Sequence, residues 1–295
     1  MKILIADKFG PELPGMLAKY GEVFVENDAV VPEADVILVR SKTKVKGDYL
    51  DRAKNLKFVI RGGVGVDNID VKTCEARHIL VRNTPDASSI AVAEMTFALM
   101  LGLIRRIPAA DSGTRAGEWP KKTLKGTELY GKTLGLIGMG RIATEVATRA
   151  KAFGMRILAF RRSGAPSPHA EVVGLDRLLA ESDIISLHVP ANEGTNELIN
   201  AATIDKMKKG AILINTARGT CVNVADLVAA LETGKLAGAA TDVYPKEPPE
   251  ADSPLLKAKN LLLAPHIASS TAENMTRIGI IADQLMTDYV AGKLR

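Results

Sequence analysis

The chain of 295 residues is longer than a single hydrophobic core usually supports, so we expect two domains. Its composition, 46% apolar and 25% charged, is typical of a globular protein. No apolar run approaches the length of a membrane span or a signal peptide, so we expect a cytoplasmic protein without membrane partners. The net charge of +5 includes no basic block, which argues against a nucleic-acid partner, and two cysteines without ligand or disulfide spacing indicate no metal site.

Short apolar runs and helix-like segments alternate along the first third of the chain. Strands are predicted at Lys2–Ala6, Glu22–Glu26, Val36–Arg40, Lys57–Arg61 and Ile79–Arg82. Helices are predicted at Pro11–Tyr20, Val71–His78 and, as a long apolar segment, Ser89–Arg105. This alternation predicts a parallel sheet that is covered by helices.

A second alternating series follows a less regular segment, Ser112–Tyr130, that is rich in Gly, Lys and Thr. Its strands are predicted at Thr133–Ile137, Arg156–Phe160, Ile184–Val189, Ala211–Asn215, Gly238–Asp242 and Leu261–Ala264. Its helices are predicted at Ile142–Phe153, Leu175–Glu181, Ile204–Lys208, Val224–Glu232 and, at the end of the chain, Ser270–Ala291. The chain is therefore predicted to form two doubly wound α/β domains, each with a parallel sheet.

A glycine-rich turn joins the first strand of the second series to its first helix. Gly138-x-Gly140-x-x-Ala143 matches the dinucleotide-binding fingerprint, with Ala143 in place of the third glycine. Gly138 permits the tight turn, Gly140 lets the backbone approach a pyrophosphate, and Ala143 lets the helix pack closely on its strand. A purely structural turn is the alternative, but the strand–turn–helix context favours a cofactor whose phosphates lie at the helix N-terminus.

The end of the second strand of this series bears on the choice of cofactor. An NAD enzyme normally places Asp or Glu there, whereas this strand ends with Arg161, Arg162 and Ser163. A guanidinium cannot accept a hydrogen bond from a ribose hydroxyl, but it pairs well with a 2′-phosphate, and Ser163 adds a donor. These residues predict a preference for NADP; the alternative is that the arginines are solvated loop residues.

Three charged side chains each follow one of the last three predicted strands. Arg218, Glu247 and His266 therefore reach the carboxyl edge of the sheet, where α/β sheets bind ligands. Reduction of a 2-keto acid needs a cation for the carboxylate, which suits Arg218, and a proton donor for the keto oxygen, which suits His266. Glu247 can orient the histidine. Each residue alone could be structural, but the combination behind a dinucleotide loop favours catalysis.

Further motifs resemble, in the same order, those of the D-isomer-specific 2-hydroxyacid dehydrogenase family, and most closely its phosphoglycerate dehydrogenase branch. They are Val39–Val45, Arg61–Asp70, Asn83–Pro85, Leu129–Gly135 and Pro265–Thr271. The resemblance covers nearly the whole chain. It implies a flavodoxin-like substrate domain at 1–92, completed by 275–295, and a Rossmann-type cofactor domain at 93–274. It also implies a homodimer and catalysis by Arg218, Glu247 and His266.

The resemblance extends to contacts with the two ligands. The expected cofactor contacts, besides the arginine turn, are Gly138, Gly140, Arg141, Ile142, Val189, Pro190, Thr216 and Asp242, the last beside the nicotinamide carboxamide. The expected substrate contacts are Arg40, Ser41, Arg61, Gly62, Gly63 and Val64. Arg40 and Arg61 would approach a substrate phosphate, and backbone NH groups of the turn from Gly62 to Val64 would meet the substrate carboxylate. Lys121 and Lys122 would reach the active site of the partner subunit.

The expected activity is hydride transfer between NAD(P) and a D-2-hydroxy acid/2-keto acid pair. The first hypothesis is D-3-phosphoglycerate/3-phosphohydroxypyruvate, a step of serine biosynthesis, with NAD as the family default. The alternative is an NADPH-dependent glyoxylate or hydroxypyruvate reductase, which suits Arg161 and Arg162. A cofactor-sensing corepressor is the alternative of another class, and the intact Arg218, Glu247 and His266 argue against it. Because the chain ends after one closing helix, we expect no C-terminal regulatory domain.

Overall fold

The computed structural model describes residues 1–294. The described chain forms two compact units. The first contains Met1–Ser89 together with the chain from Ser269 onwards, and the second contains Ile90–Ala268. The chain thus leaves the first unit once and returns to it through its last helix. Which ligand each unit binds stays a prediction.

The first unit is built on a five-stranded sheet whose neighbouring strands all run parallel. Its strands are β1 (Lys2–Ile5), β2 (Glu22–Val25), β3 (Val36–Val39), β4 (Phe58–Arg61) and β5 (Leu80–Asn83). Their order is β2-β1-β3-β4-β5, which is the flavodoxin-like order that was predicted. Strand β3 is buried at every position, as its continuous Val-Ile-Leu-Val run indicates for a strand covered on both faces.

Helices cover both faces of this sheet. They are α1 (Leu13–Leu17), α2 (Gly47–Arg52), α3 (Val71–Ala76) and the C-terminal helix (Ala272–Val290). Ala282 and Met286 of the C-terminal helix are fully buried in one core cluster with Ile5 of β1 and Leu17 of α1. Burial of this apolar stripe explains why the last helix folds with the N-terminal residues.

The second unit is built on a seven-stranded parallel sheet. Its strands are β6 (Thr133–Ile137), β7 (Arg156–Phe160), β8 (Glu171–Val172), β9 (Ile184–Leu187), β10 (Ala211–Asn215), β11 (Leu236–Thr241) and β12 (Leu261–Leu263). Their order is β12-β11-β10-β9-β6-β7-β8. Counted from β6, the sheet has the dinucleotide-binding order with one additional edge strand, and its topological switch point lies between β6 and β9. The Rossmann-type prediction is therefore confirmed.

Six helices belong to the chain of the second unit. They are α4 (Ser89–Ile104), α5 (Ile107–Arg115), α6 (Arg141–Ala152), α7 (Leu175–Glu181), α8 (Ala201–Asp205) and α9 (Val224–Glu232). Small apolar residues recur on α6 at helical spacing, and Ala143, Val146, Ala147 and Ala150 are fully buried against the sheet. Ala143 thus serves the close packing predicted for the third position of the fingerprint. Within residues 1–294, no helix is both long and apolar enough to cross a membrane.

The largest departures from the predictions concern three α-helices and one strand. Helix α2 and strand β8 were missed, and α5 extends into the segment that was predicted to be irregular. Helix α5 has no buried residue and contains Ser112 and Gly113, which are poor helix formers, and β8 has only two residues at the sheet edge. Helix α8 begins three residues before its predicted start, because Asn200 and Thr203 form a reciprocal capping box.

Candidate active site

Three neighbouring strands of the second unit deliver the predicted catalytic side chains. Strands β10, β11 and β12 are adjacent and parallel, so their carboxyl ends meet at one edge of the sheet. Arg218 follows β10, Glu247 follows β11 and His266 follows β12. Side-chain and backbone hydrogen bonds fix the loops that carry these three residues.

Glu247 and His266 form the central pair of this edge. Oε2 of Glu247 lies 2.6 Å from Nδ1 of His266, while Oε1 accepts a hydrogen bond of 3.1 Å from the Tyr244 NH. Burial disfavours the charged form of Glu247, but the hydrogen bonds from His266 and Tyr244 and the charges of His266 and Arg218 outweigh it and lower its pKa. Glu247 is therefore an ionised acceptor that orients the imidazole and leaves Nε2 as the nitrogen for exchange with a substrate.

The backbone of His266 is held in a conformation that non-glycine residues rarely adopt. Its φ is 55°, in the left-handed region, which costs of the order of 1–3 kcal/mol unless the surroundings hold it. The fully buried Asp242 does so, because its two carboxylate oxygens accept the NH groups of Ile267 at 2.8 Å and Ala268 at 2.7 Å. Burial raises the pKa of Asp242, and these two hydrogen bonds oppose that rise.

Asp242 thus has a structural role that the sequence did not reveal. Its predicted contact with the nicotinamide carboxamide stays a prediction, and a carboxylate has lone pairs left for it. Tyr244 was missed altogether. Its backbone NH donates to Glu247 and its hydroxyl donates to the Ala264 carbonyl at 2.9 Å, so one residue joins the Glu247 loop to the His266 loop.

The Arg218 turn is built by Asn215 at the end of β10. The Asn215 side chain donates to the Arg218 carbonyl at 3.0 Å and accepts the Ala217 NH at 3.0 Å, which closes a tight local turn. A Cβ on Gly219 would overlap the Tyr244 backbone, so only glycine lets this turn approach the loop that leads to Glu247. The positive charge of Arg218 is the smallest of the effects that lower the pKa of Glu247.

The glycine-rich turn has the geometry that a dinucleotide requires. Gly138 has a φ of 98°, and a Cβ there would overlap the His188 carbonyl and crowd the Val189 side chain. No atom lies within 4 Å of a Cβ placed on Gly140, which is the N-cap of α6 and has no side chain to cap the helix. The NH groups of the first turn of α6, at Arg141 and Ile142, can therefore serve a pyrophosphate. The residues present fit the cofactor.

The arginine turn lies at the end of β7, next to the glycine-rich strand β6. The Gly164 NH closes the turn on the Arg161 carbonyl at 3.0 Å, and Arg161 is half-buried while Arg162 and Ser163 are exposed. The Arg162 guanidinium packs against Gly194, in the loop that follows Val189 and Pro190. The turn thus places Arg161 and Arg162 at the strand end where the ribose end of a dinucleotide binds in this fold.

Thr216 is buried and His188 is half-buried near this edge, and each is paired with another polar side chain. Thr216 Oγ1 lies 3.0 Å from Thr96 Oγ1 of α4, so the predicted cofactor contact is anchored to the long apolar helix. His188 Nε2 lies 2.9 Å from Ser186 Oγ, and burial lowers the pKa of His188 to about 4. His188 is therefore neutral at physiological pH, which leaves His266 as the acid–base candidate.

The predicted substrate residues lie at the carboxyl ends of β3 and β4 in the first unit. Ser41 and Val64 are exposed, whereas Arg40 and Arg61 are half-buried. The Arg61 guanidinium packs against Gly63 and donates to the Gly62 carbonyl at 3.3 Å. Residues 40 and 61 come from adjacent strands, so the structure brings these two arginines to one edge of the five-stranded sheet.

The turn after β4 differs from its prediction in one respect. The Gly62 NH donates to the Val39 carbonyl at 2.8 Å, and the Gly63 NH donates to Thr84 Oγ1 at 2.8 Å. These two NH groups were expected to be available to a substrate carboxylate, but the fold uses both of them to hold the turn. The contacts of Gly62, Gly63 and Val64 with a substrate stay predictions.

A family comparison settles the class of protein. Residues 97–268 match the model described as D-isomer specific 2-hydroxyacid dehydrogenase, NAD binding domain, which is more than half of the chain. The chain belongs to the D-isomer-specific 2-hydroxyacid dehydrogenases. The predicted family, fold class and enzyme class are thereby confirmed, and the matched residues all lie in the second unit.

Individual relatives support the same class. The dehydrogenase is 42% identical over 304 residues to a D-3-phosphoglycerate dehydrogenase of Archaeoglobus fulgidus, covering 99% of this chain and 58% of that protein. It is 48% identical over 254 residues to a hydroxypyruvate reductase of Thermotoga maritima, covering 85% of this chain and 83% of that protein. The chain therefore spans less than two thirds of the length of the Archaeoglobus relative.

A solved structure has nearly the same fold. An acyclic imino acid reductase, determined in complex with NADPH and D-Arg, superposes on this dehydrogenase with a TM-score of 0.91 at 29% identity. The match covers 100% of this chain and 98% of that one.

Proposed function

We propose that this dehydrogenase transfers a hydride between a nicotinamide cofactor and a D-2-hydroxy acid/2-keto acid pair, and that the pair is D-3-phosphoglycerate/3-phosphohydroxypyruvate. The observation that carries the proposal is the 2.6 Å contact between Glu247 and Nδ1 of His266, with the charge of Arg218 in reach of Glu247. The name of the Archaeoglobus relative supports the phosphorylated substrate. With this pair, the enzyme would act in serine biosynthesis in the cytoplasm.

In the proposed mechanism, His266 donates the proton when the keto acid is reduced. When a keto group is reduced, its oxygen gains negative charge and needs a proton at that moment. Glu247 holds Nδ1, so Nε2 of His266 donates this proton, and the ionised carboxylate stabilises the imidazolium that must precede the transfer. In the oxidative direction, Nε2 accepts the hydroxyl proton.

In the proposed mechanism, Arg218 binds the carboxylate of the substrate. A guanidinium grips a carboxylate through two parallel hydrogen bonds, which fixes the plane of the 2-keto acid as well as its position. The turn built by Asn215 and Gly219 holds the backbone from which the arginine side chain extends.

The cofactor supplies the hydride when it is bound. Gly138, Gly140 and the first turn of α6 would hold its pyrophosphate, and Arg161, with Arg162 and Ser163, would hold a 2′-phosphate. We propose a preference for NADP on this ground, because no acidic side chain stands where a 2′-hydroxyl donor would need one.

A second candidate is an NADPH-dependent hydroxypyruvate or glyoxylate reductase. The arginine turn favours it, and so does the name of the Thermotoga relative. Steady-state kinetics with 3-phosphohydroxypyruvate and with hydroxypyruvate separate the two, using NADH and NADPH in turn. We expect kcat/KM to favour the phosphorylated substrate. A preference of more than about tenfold for hydroxypyruvate would establish the second candidate instead.

We also propose that the enzyme is a homodimer. The surface of α5 and the segment that follows it carry large apolar side chains, with Ile107 56% exposed and Trp119 79% exposed. Exposed apolar groups of this size are typical of an interface between subunits. Sedimentation of the parent and of Trp119→Glu tests this: a dimer that dissociates in the variant is expected, and a monomeric parent would contradict it.

A further inference from the structure

A buried carboxylate in the first unit organises the loop that carries Arg40. Asp7 follows β1 and is only 2% exposed. Its carboxylate accepts the Arg40 NH at 2.5 Å, the Thr43 NH at 3.1 Å and the Thr43 hydroxyl at 2.6 Å. The NH groups at both ends of the loop 40–43 are therefore tied to one side chain.

Asn68 ties the same two residues through their carbonyl groups. Its side-chain amide donates to the Arg40 carbonyl at 2.8 Å and to the Thr43 carbonyl at 2.7 Å. The backbone carbonyl of Asn68 accepts the Val45 NH at 2.9 Å, which joins the loop to the segment 68–70. Asp7 and Asn68 thus bind the backbone NH and carbonyl groups of Arg40 and Thr43. Ser41 and Lys42 lie exposed between them.

The surroundings of the Arg40 guanidinium favour the binding of an anion. The guanidinium is half-buried, one nitrogen donates to the Lys8 carbonyl at 3.3 Å, and Nε is buried without a hydrogen-bond partner in the described part of the chain. Burial lowers the pKa of Arg40, and the negative charge of Asp7 opposes this. A buried donor without an acceptor costs about 1–3 kcal/mol, and an anionic oxygen is the partner that recovers it best.

We infer that Asp7 and Asn68 are positioning residues for anion recognition, because they fix the loop 40–43 so that Arg40 meets the phosphate of the substrate. The inference rests on the proposed function, since it takes that phosphate as the anion. Neither residue touches the ligand. Their effect passes through the backbone of Arg40, so it should depend on the phosphate and on the Arg40 guanidinium.

The test is a double-mutant cycle that combines Asp7→Asn with Arg40→Gln and measures KM and kcat for 3-phosphohydroxypyruvate and for hydroxypyruvate. Asp35→Asn is the matched control, because Asp35 in the same unit also accepts a backbone NH, that of Lys2 at 2.9 Å, together with the Lys57 ammonium at 2.8 Å. Thermal unfolding of each variant identifies any that fails to fold. Asn68→Ala then repeats the test by removing the amide that donates to the carbonyl groups of Arg40 and Thr43.

We expect Asp7→Asn to raise KM for the phosphorylated substrate by about tenfold, the size of one charge-assisted hydrogen bond, with kcat and the hydroxypyruvate KM within about twofold. Asp35→Asn should leave KM and kcat unchanged for both substrates. In the double variant, Asp7→Asn should add nothing to Arg40→Gln. Additive effects, or equal losses for both substrates, would overturn the inference alone. If Arg40→Gln itself leaves both KM values unchanged, the proposed phosphate contact fails as well.

Discussion

Replacement of Glu247 by Gln isolates the charge of the pair that is proposed to move the proton. Gln keeps the size of the side chain and one acceptor for the Tyr244 NH, but it removes the negative charge that lies 2.6 Å from His266 Nδ1. A hydrogen bond to a charged group contributes about 1.5–3 kcal/mol, and the side chains of His266 and Glu247 are 35% and 36% exposed, which favours the lower half of that range. We therefore expect kcat to fall by about 10- to 50-fold.

The assay follows oxidation of the reduced cofactor with saturating keto acid, and cofactor affinity is measured separately. Glu250→Gln is the matched control, because Glu250 lies in the same proline-rich loop and pairs with the exposed Lys246 at 2.6 Å. The control should keep kcat within about twofold, since a surface ion pair contributes little. If Glu247→Gln and Glu250→Gln had equal kcat values, the role assigned to Glu247 would be wrong.

Three further predictions concern the cofactor turn, the arginine turn and acid stability. Gly138→Ala should abolish NADPH binding in a fluorescence titration, because its Cβ would overlap the His188 carbonyl at a φ of 98°, whereas Gly174→Ala, in open space, should bind normally. Arg161→Asp should weaken NADP binding by at least about tenfold and favour NAD; equal NADP affinity in parent and variant would contradict the assignment. The folded-state pKa of Glu247 lies below its ordinary value, so its carboxylate stabilises the fold above pH ~4.3, and this contribution is lost as the pH falls through the lowered pKa. Denaturant titrations should therefore show Glu247→Gln to be less stable at neutral pH, by less than about 1 kcal/mol after solvent screening, and equal to the parent in strong acid.

The strands that the sequence predicts best are β6, β7 and β10 of the second sheet. Thr133–Ile137, Arg156–Phe160 and Ala211–Asn215 match their predicted limits to the residue, because buried parallel strands are continuous apolar runs between turn residues. Helix α5 and strand β8 could not be predicted in this way. The side chains of α5 are mostly exposed and include the poor helix formers Ser112 and Gly113, and β8 has only two residues.

The position of the site could also be read from the sequence, but not the bonds that build it. Arg218, Glu247 and His266 follow adjacent parallel strands, and the topology alone brings such residues to one edge. The bonds of Asp242 to Ile267 and Ala268 join residues that are distant in sequence, as do those of Asp7 to the loop after β3. Such contacts depend on loop conformation, which composition and periodicity do not specify.

The most direct test of the central claim is single-turnover reduction of 3-phosphohydroxypyruvate by the parent and by His266→Asn, each with cofactor already bound. Asn keeps a polar side chain but cannot donate a proton as an imidazolium does. We expect the parent to oxidise the reduced cofactor and His266→Asn to slow that step by about 10²-fold or more, with cofactor affinity unchanged. Equal single-turnover rates would contradict the assignment of His266 as the proton donor.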